Sequence, residues 1–266
     1  MIKTLILGAV QGLCEFLPVS SSGHLALLQN FLGFTYENAN NDLVAFDLLL
    51  HCATVLVIII YFWRDIFRIL FQWLTGWFSK KRLSGWSYGW AILIASFFTA
   101  IIGLPLRKTV NLISGMPLYV GIGLIFSALI MTFVPLISEG KKNSSLLKIA
   151  VFVGIAQGIA VLPGVSRSGL TIAACLFMGL SASESFRFSF LISVPAVLGA
   201  SLLEALKIFG NDSNIFLPEG YIFALIAAFV LGLLALSLMR KLVLAGKWGY
   251  FGVYCLIIGS AAIYLS

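Results

Sequence analysis

Three stretches of this chain, Tyr88 to Leu106, Pro117 to Ile137 and Gly220 to Met239, carry no charged side chain at all. Each is close to the roughly 20 residues that a helix needs to cross bilayer hydrocarbon. Composition points the same way. The chain is 61% hydrophobic and 10% charged, whereas a soluble surface draws on a chain in which about a quarter of the residues are charged. The reading is an all-α integral membrane protein.

Six stretches qualify as full transmembrane helices: about Val44–Phe62, Tyr88–Leu106, Pro117–Ile137, Arg187–Leu206, Gly220–Met239 and Trp248–Leu265. The net charge of +7 could suggest nucleic acid, but the charges sit in short loops between spans, so no nucleic-acid partner is expected. Such loops mark the cytoplasmic side. Cys14, Cys52, Cys175 and Cys255 lie singly in apolar stretches, read as small core hydrophobes and give no disulfide or metal framework. The apolar run Thr4 to Cys14 runs into Glu15 without a small-residue cleavage pattern, so it is read as part of the folded protein rather than as a secretion signal.

Two further regions are apolar but interrupted. Thr4–Phe34 is broken by Glu15, Pro18, three serines, Gly23 and His24, and Ile149–Leu180 by Pro163, Gly164, two serines, Arg167 and Gly169. An ungapped offset of 146 residues lays Gly8 on Gly154, Gln11 on Gln157, Gly12 on Gly158, Ser20 on Ser166, Ser22 on Ser168 and Gly23 on Gly169. Each broken region precedes three full spans. The chain therefore reads as a single membrane domain, 1–266, built from two copies of one unit, about 1–137 and about 149–266. Three is an odd number. If each broken region is a re-entrant hairpin, the second copy sits upside down relative to the first, an architecture that builds a site near the midplane. Eleven of the 17 basic residues follow the first, third and fifth spans, and Glu37, Asp42, Asp212 and Glu219 fall in the opposite loops. The first hairpin is expected to dip in from outside and the second from the cytoplasm.

Broken helices in hydrocarbon are tolerated only beside protein or water. Pro18 and Pro163 end one helix, and the serines after them can cap the next. A helix start offers free amides and a partial positive charge, which suits a phosphate. Arg167, in Pro163-Gly-Val-Ser-Arg-Ser-Gly-Leu-Thr171, either grips phosphate oxygens through its planar fork or pairs with Glu15 to lock the copies together; the two roles are compatible. Glu15, His24 and the hydroxyls between them supply a base, an acid and a nucleophile. Glu15 could alternatively hold a divalent cation, with Gln11 one turn away on the same face. For His24 the bland reading is a buried neutral imidazole. His51 and Asp47, one turn apart, are either support for the site or partners of each other. Glu184 and Arg187 are expected to pair locally, and Trp63, Trp73, Trp77, Trp86 and Trp90 to line the membrane interface.

Gln11-Gly-Leu-Cys-Glu15-Phe-Leu-Pro-Val-Ser-Ser-Ser-Gly-His24 and Pro163-Gly-Val-Ser-Arg-Ser-Gly-Leu-Thr171 closely resemble the two hallmarks of the bacterial undecaprenyl-diphosphate phosphatase family, also called the bacitracin-resistance protein family. The likeness runs the length of the chain, including Phe46-Asp47 and the run from Ser183 to Phe190 that leads to Pro195. It implies removal of the terminal phosphate from a C55 isoprenyl diphosphate, recycling the monophosphate carrier for peptidoglycan synthesis, and bacitracin resistance when the enzyme is abundant. It implies a bacterial cytoplasmic membrane location, a site facing the periplasm or outside, and dependence on Mg²⁺ or Ca²⁺. By position, Glu15 matches the essential carboxylate, Ser21 and His24 match catalytic residues, and Arg167 matches the phosphate clamp. Ser20, Ser22, Ser166, Ser168 and Thr171 match hydroxyls lining the phosphate pocket, and Gln11 lies at its edge. Position 11 varies between Glu and Gln in the family and is Gln here, which counts against a metal bound by two carboxylates of this segment and leaves Glu15 as its acidic ligand.

The rival reading is a polyprenyl-phosphate transporter or flippase, which shares the inverted-repeat architecture but has no need of the Glu15–His24 pair. An ion channel fits less well, because a buried Arg with few facing acids gives no conduction path. The partners expected are a polyprenyl diphosphate and the bilayer. Homo-oligomer formation is allowed by the sequence, which carries no feature that sets it.

Overall fold

The computed structural model describes residues 1–33, 41–78, 83–136, 144–209 and 216–266. Every regular element among these is helical: α1 (Ile2–Phe16), α2 (Ser21–Phe31), α3 (Asn41–Tyr61), α4 (Trp63–Thr75), α5 (Ser84–Ile113), α6 (Pro117–Phe133, continued by a 3₁₀ turn Val134–Leu136), α7 (Leu146–Ile159), α8 (Arg167–Phe177), α9 (Ala182–Phe209), α10 (Tyr221–Leu244) and α11 (Gly249–Tyr264). Five of the six expected spans, α3, α5, α6, α9 and α10, are long and apolar enough to cross a membrane. The sixth, α11, has 16 residues, which at 1.5 Å per residue is about 24 Å, a little short of the hydrocarbon thickness. Large apolar side chains such as Phe97, Phe126, Phe223, Leu234 and Ile257 stand exposed on the outside of the bundle, as a surface bathed in lipid requires. The chain is a multi-pass membrane protein. Lys80, Lys81, Arg82, Lys141, Lys142, Glu37 and Asp212, which entered the loop-charge reading, lie outside the described residues.

Without a hydrophobic drive between helices in lipid, close backbone approach at small residues holds such a bundle together. α1 lies along α10 and α7 along α5, while α3 meets α9 and α6 meets α11. Exchanging α1, α3, α5 and α6 for α7, α9, α10 and α11 leaves this set of pairings unchanged. The contacts inside them match as well. A Cβ on Gly8 would stand 2.2 Å from the Ala224 carbonyl oxygen, and one on Gly154 would stand 2.5 Å from that of Ala95. Beneath the broken segments Phe16, Phe62, Phe186 and Phe190 form an aromatic cluster with centroid separations of 4.8 to 6.4 Å.

Three smaller expectations need correction. Cys52 is exposed rather than part of the core. Arg187 pairs with Asp65 at 2.8 Å and lies over the Tyr88 ring, whereas Glu184 takes the Ser181 hydroxyl at 3.2 Å. α4 is an amphipathic helix where only a basic loop was read. Its Trp63, Phe67, Leu70, Phe71 and Leu74 are exposed, and Trp73, together with Trp77, Trp86 and Trp90, forms an edge-to-face and tilted stack that fastens α4 to α5.

Candidate active site at the meeting of two broken helices

Each broken segment ends one helix and starts another by local rules. Leu17, which precedes Pro18, is extended (φ −70°, ψ 147°), the conformation proline imposes on its neighbour. α2 then begins behind Ser20, whose Oγ accepts from Gly23 N at 3.3 Å. α8 begins behind Ser166, whose Oγ accepts from Gly169 N at 3.2 Å. The same offset relates the second hydroxyls: Ser20 and Ser22 are 3.4 Å apart, and so are Ser166 and Ser168. The two tips press on each other. A Cβ on Gly23 would reach 2.9 Å from Gly164 Cα, and one on Gly169 would reach 3.1 Å from Pro18 Cβ. Gly164 must be glycine on two counts, a φ of +83° and a would-be Cβ 2.1 Å from the Val120 carbonyl oxygen.

At this junction Glu15 carries the polar network. Its side chain is only 6% exposed. Oε1 accepts a charge-assisted hydrogen bond from Arg167 Nη2. Oε2 accepts from Ser21 Oγ at 2.5 Å and from Gln11 Nε2 at 3.1 Å, and His51 Nε2 lies 3.9 Å away. Ser21 and Arg167 occupy equivalent positions in the two segments, and both bind the same carboxylate.

His24 joins a neighbouring network. Its Nδ1 lies 2.9 Å from the Ser20 carbonyl oxygen and its Nε2 lies 2.8 Å from Tyr254 Oη on α11, with the two rings parallel and 5.5 Å apart. Ser20 is the single non-glycine residue at positive φ (68°) among the described residues, a strained conformation of a kind that collects at functional sites. Ser21 and His24, three residues apart on α2, share a helix face.

The other expected residues are distributed around this centre. Ser168 Oγ donates to the Leu17 carbonyl at 3.3 Å, tying α8 to the first tip. Ser166 N donates to Ser127 Oγ of α6, which donates to the Gly164 carbonyl at 3.0 Å. Thr171 turns towards α9: it donates to the Arg167 carbonyl and accepts from Ser189 Oγ at 2.6 Å. Asp47 does not pair with His51 through its side chain. Gln29 Nε2 donates to its carboxylate at 2.8 Å, and His51 Nδ1 meets its backbone carbonyl at 2.9 Å. Tyr254, Ser127 and Ser189 were not singled out from the sequence. Tyr254 and Ser127 are lone polar residues in apolar spans that no local motif marks, and Ser189 lies in the Ser183–Phe190 run without a role that spacing alone assigns.

Among the described residues no group of three or more His, Cys, Asp or Glu side chains could cage a metal ion. What the junction offers is one carboxylate, Glu15, and the Oε1 of Gln11, which is buried without a hydrogen-bond partner. That is too few oxygens for a Ca²⁺ cage. It suits a Mg²⁺ ion of the kind that keeps several waters and arrives with substrate phosphates, taking one or two protein oxygens.

A family model described as "Bacitracin resistance protein BacA" matches residues 4–261. Among curated relatives named undecaprenyl-diphosphatase, one from Korarchaeum cryptofilum is 38% identical over 99% of this chain and 98% of its own length. One from Methanosphaera stadtmanae is 34% identical over 100% and 98%, and one from Treponema denticola is 39% identical over 97% and 94%.

Proposed function

We propose that this chain, which belongs to the bacitracin resistance protein BacA family, hydrolyses undecaprenyl diphosphate to undecaprenyl phosphate and inorganic phosphate. The observation that carries this reading is the shared carboxylate. Glu15 holds a hydroxyl nucleophile on one oxygen and a phosphate-gripping guanidinium on the other, at a point where two helix starts converge.

In the proposed reaction the terminal phosphate draws Arg167 away from Glu15, because a dianion with three oxygens is the better bidentate partner. Relieved of its guanidinium, the carboxylate becomes a stronger base and takes the Ser21 proton across the 2.5 Å hydrogen bond. Ser21 Oγ forms a bond to the terminal phosphorus as the bond to the bridging oxygen breaks, and undecaprenyl phosphate leaves with that oxygen. Water then cleaves the serine–phosphate bond, giving up a proton to His24, which lies on the Ser21 face of α2, while Glu15 returns its proton to the departing Ser21 Oγ. Phosphate is released and carries off the proton held by His24. Arg167 and the amides at the starts of α2 and α8 stabilise the charge on the transferring group. Ser20, Ser22, Ser166 and Ser168 line its berth, and Thr171 supports Arg167 from below. A Mg²⁺ carried in by the diphosphate would be held by Glu15 and Gln11 Oε1 and would supply charge neutralisation.

The reading includes an orientation. The two broken segments are re-entrant hairpins of two oppositely directed copies, the chain lies in a bacterial cytoplasmic membrane, and the site opens to the outer face. The support is the loop-charge asymmetry and the helix pairing that survives exchange of the copies. The test is phosphate release from a prenyl diphosphate by purified protein, compared with Glu15→Gln, His24→Ala and Arg167→Ala. Release by the wild type that collapses in the variants is expected. A wild type that binds the lipid and releases nothing would indicate transport instead, and activity surviving all three changes would dismiss the site. Chelation should suppress turnover, and added Mg²⁺ should restore it.

A further inference from the structure

We infer that Tyr254, on the last helix, is a positioning residue that holds the ring plane of His24 and keeps its Nε2 as a hydrogen-bond acceptor. A histidine Nδ1 placed 2.9 Å from a backbone carbonyl can only donate to it. A neutral imidazole so held keeps its lone pair on Nε2, and that is the nitrogen lying 2.8 Å from Tyr254 Oη. The phenol therefore donates and the imidazole accepts. Tyr254 also lies parallel to the ring, 5.5 Å away at an interplanar angle of 7°, so the Ser20 carbonyl fixes the tautomer of His24 and α11 fixes its ring plane and the partner of Nε2.

Two features show that this contact is specific to the first broken segment. Cys255 Sγ faces the Pro18 carbonyl at 3.7 Å, and Ser127 Oγ faces the equivalent Gly164 carbonyl at 3.0 Å. Cys255 and Ser127 thus hold matching places on α11 and α6, and the residues before them, Tyr254 and Phe126, match as well. Opposite Phe126, the position equivalent to His24 is Leu170. Where one copy has a phenol on an imidazole, the other has two hydrocarbons beside an open groove. Tyr254 is also anchored to a strained element: the carbonyl that receives His24 Nδ1 belongs to Ser20 at φ 68°, so the chain Tyr254–His24–Ser20 runs from α11 to the cap of the helix that bears Ser21. The arrangement has the logic of an oriented base, in which the Ser20 carbonyl holds the imidazole through Nδ1 and Tyr254 holds the accepting nitrogen in place. The proton taken is the one released by water attacking the phosphorylated Ser21, and Nε2 becomes available to it as the Tyr254 hydroxyl gives way.

The chain has two histidines, His24 and His51, which makes the inference directly readable by ¹⁵N NMR of the imidazole-labelled protein in detergent. His51→Gln assigns the signals. The expected result is a neutral His24 with protonated Nδ1 and unprotonated Nε2; in Tyr254→Phe the Nε2 resonance moves as its accepted hydrogen bond is lost, while Nδ1, held by the Ser20 carbonyl, stays protonated. A protonated Nε2 in the neutral wild type, or a spectrum that Tyr254→Phe leaves unaltered, overturns the inference whether or not the protein is a phosphatase. The kinetic arm rests on the hydrolytic reading. Tyr254→Phe should lower kcat about five- to tenfold, the value of one net hydrogen bond, with KM within about twofold. The loss should vanish when His24 is already replaced by Ala. An equal loss in both backgrounds assigns Tyr254 a role independent of His24 and sinks the proposal, as does wild-type kcat in Tyr254→Phe. Absence of phosphate release from the wild type removes the hydrolytic reading but leaves the NMR test standing.

Discussion

The two broken segments share a backbone and differ in chemistry. Ser20 and Ser166 cap α2 and α8 in the same way, Gly23 and Gly169 each lean on the opposite tip, and Gln11 and Gln157 each donate to a buried threonine while leaving Oε1 unpartnered. Yet the first segment bears Glu15, Ser21 and His24 where the second bears Val161, Arg167 and Leu170. The same local scaffold occurs twice, and the polar groups are divided between the segments, carboxylate, hydroxyl and imidazole in one and guanidinium in the other. The comparison extends outward. The Tyr254–His24 contact has as its counterpart Phe126 and Leu170, which line a wholly apolar groove of about 550 Å³ between α6, α7 and α8. A shared fold therefore says where helices start, and the side chains at three matched positions set which polar groups each segment brings to the junction.

The sharpest way to break this division is to remove one contribution at a time. Ser21→Ala and Arg167→Ala should each lower kcat by about 10³-fold or more, although the two positions are structural equivalents, because one loses the nucleophile and the other the charge stabilisation. Arg167→Lys should recover little, since a point charge cannot replace the fork. Phosphate release on purified variants measures all three, and an Arg167→Lys enzyme near wild-type rate would refute the assigned grip.

A smaller effect distinguishes the tips. Gly164→Ala meets both a left-handed φ and the Val120 carbonyl, and should cost about 3 kcal/mol. Pro18→Ala, at the equivalent position, should cost about 1 kcal/mol through the looser unfolded chain alone. Heat- or denaturant-induced unfolding in detergent separates them, and equal losses would mean the tips are not asymmetrically packed. Smaller still, Ser20→Ala and Ser166→Ala should each lose about 1 kcal/mol of stability, the value of a helix cap. Matching losses support a common scaffold, and a loss confined to one segment breaks the comparison. The least effect is expected far from the junction: replacing both Arg107 and Glu204, an ion pair with each side chain more than a quarter exposed, should shift stability by under about 1 kcal/mol and leave kcat unchanged.

Much of this was legible in the chain because it is periodic or local. Uncharged runs of membrane length mark the spans, the proline and serine pattern marks both helix breaks, and the 146-residue offset relates the two segments. Less legible were features whose cause lies in a distant partner. Arg187 sits three residues from Glu184 on α9, yet bonds Asp65 from α4, because helix packing decides which acid is within reach. The amphipathic spacing of Trp63, Phe67, Leu70, Phe71 and Leu74 was present in the sequence as the signal for α4, masked by the arginines between them. Tyr254 lies 230 residues from its partner, and nothing near it in sequence distinguishes it from any other tyrosine in an apolar helix.

By itself the sequence determined that this chain lives in a bilayer, where its two broken helices restart, and which residues are chemically able to handle a phosphate. Those are consequences of side-chain polarity and backbone preference, which act over a few residues. The tertiary structure decided which oxygen of Glu15 faces Arg167, that His24 looks to α11 and not to the carboxylate, and that Gln11 is left with a free acceptor. Such choices depend on how small residues let backbones approach across the bundle, and contact between helices far apart in the chain is not encoded in any local pattern.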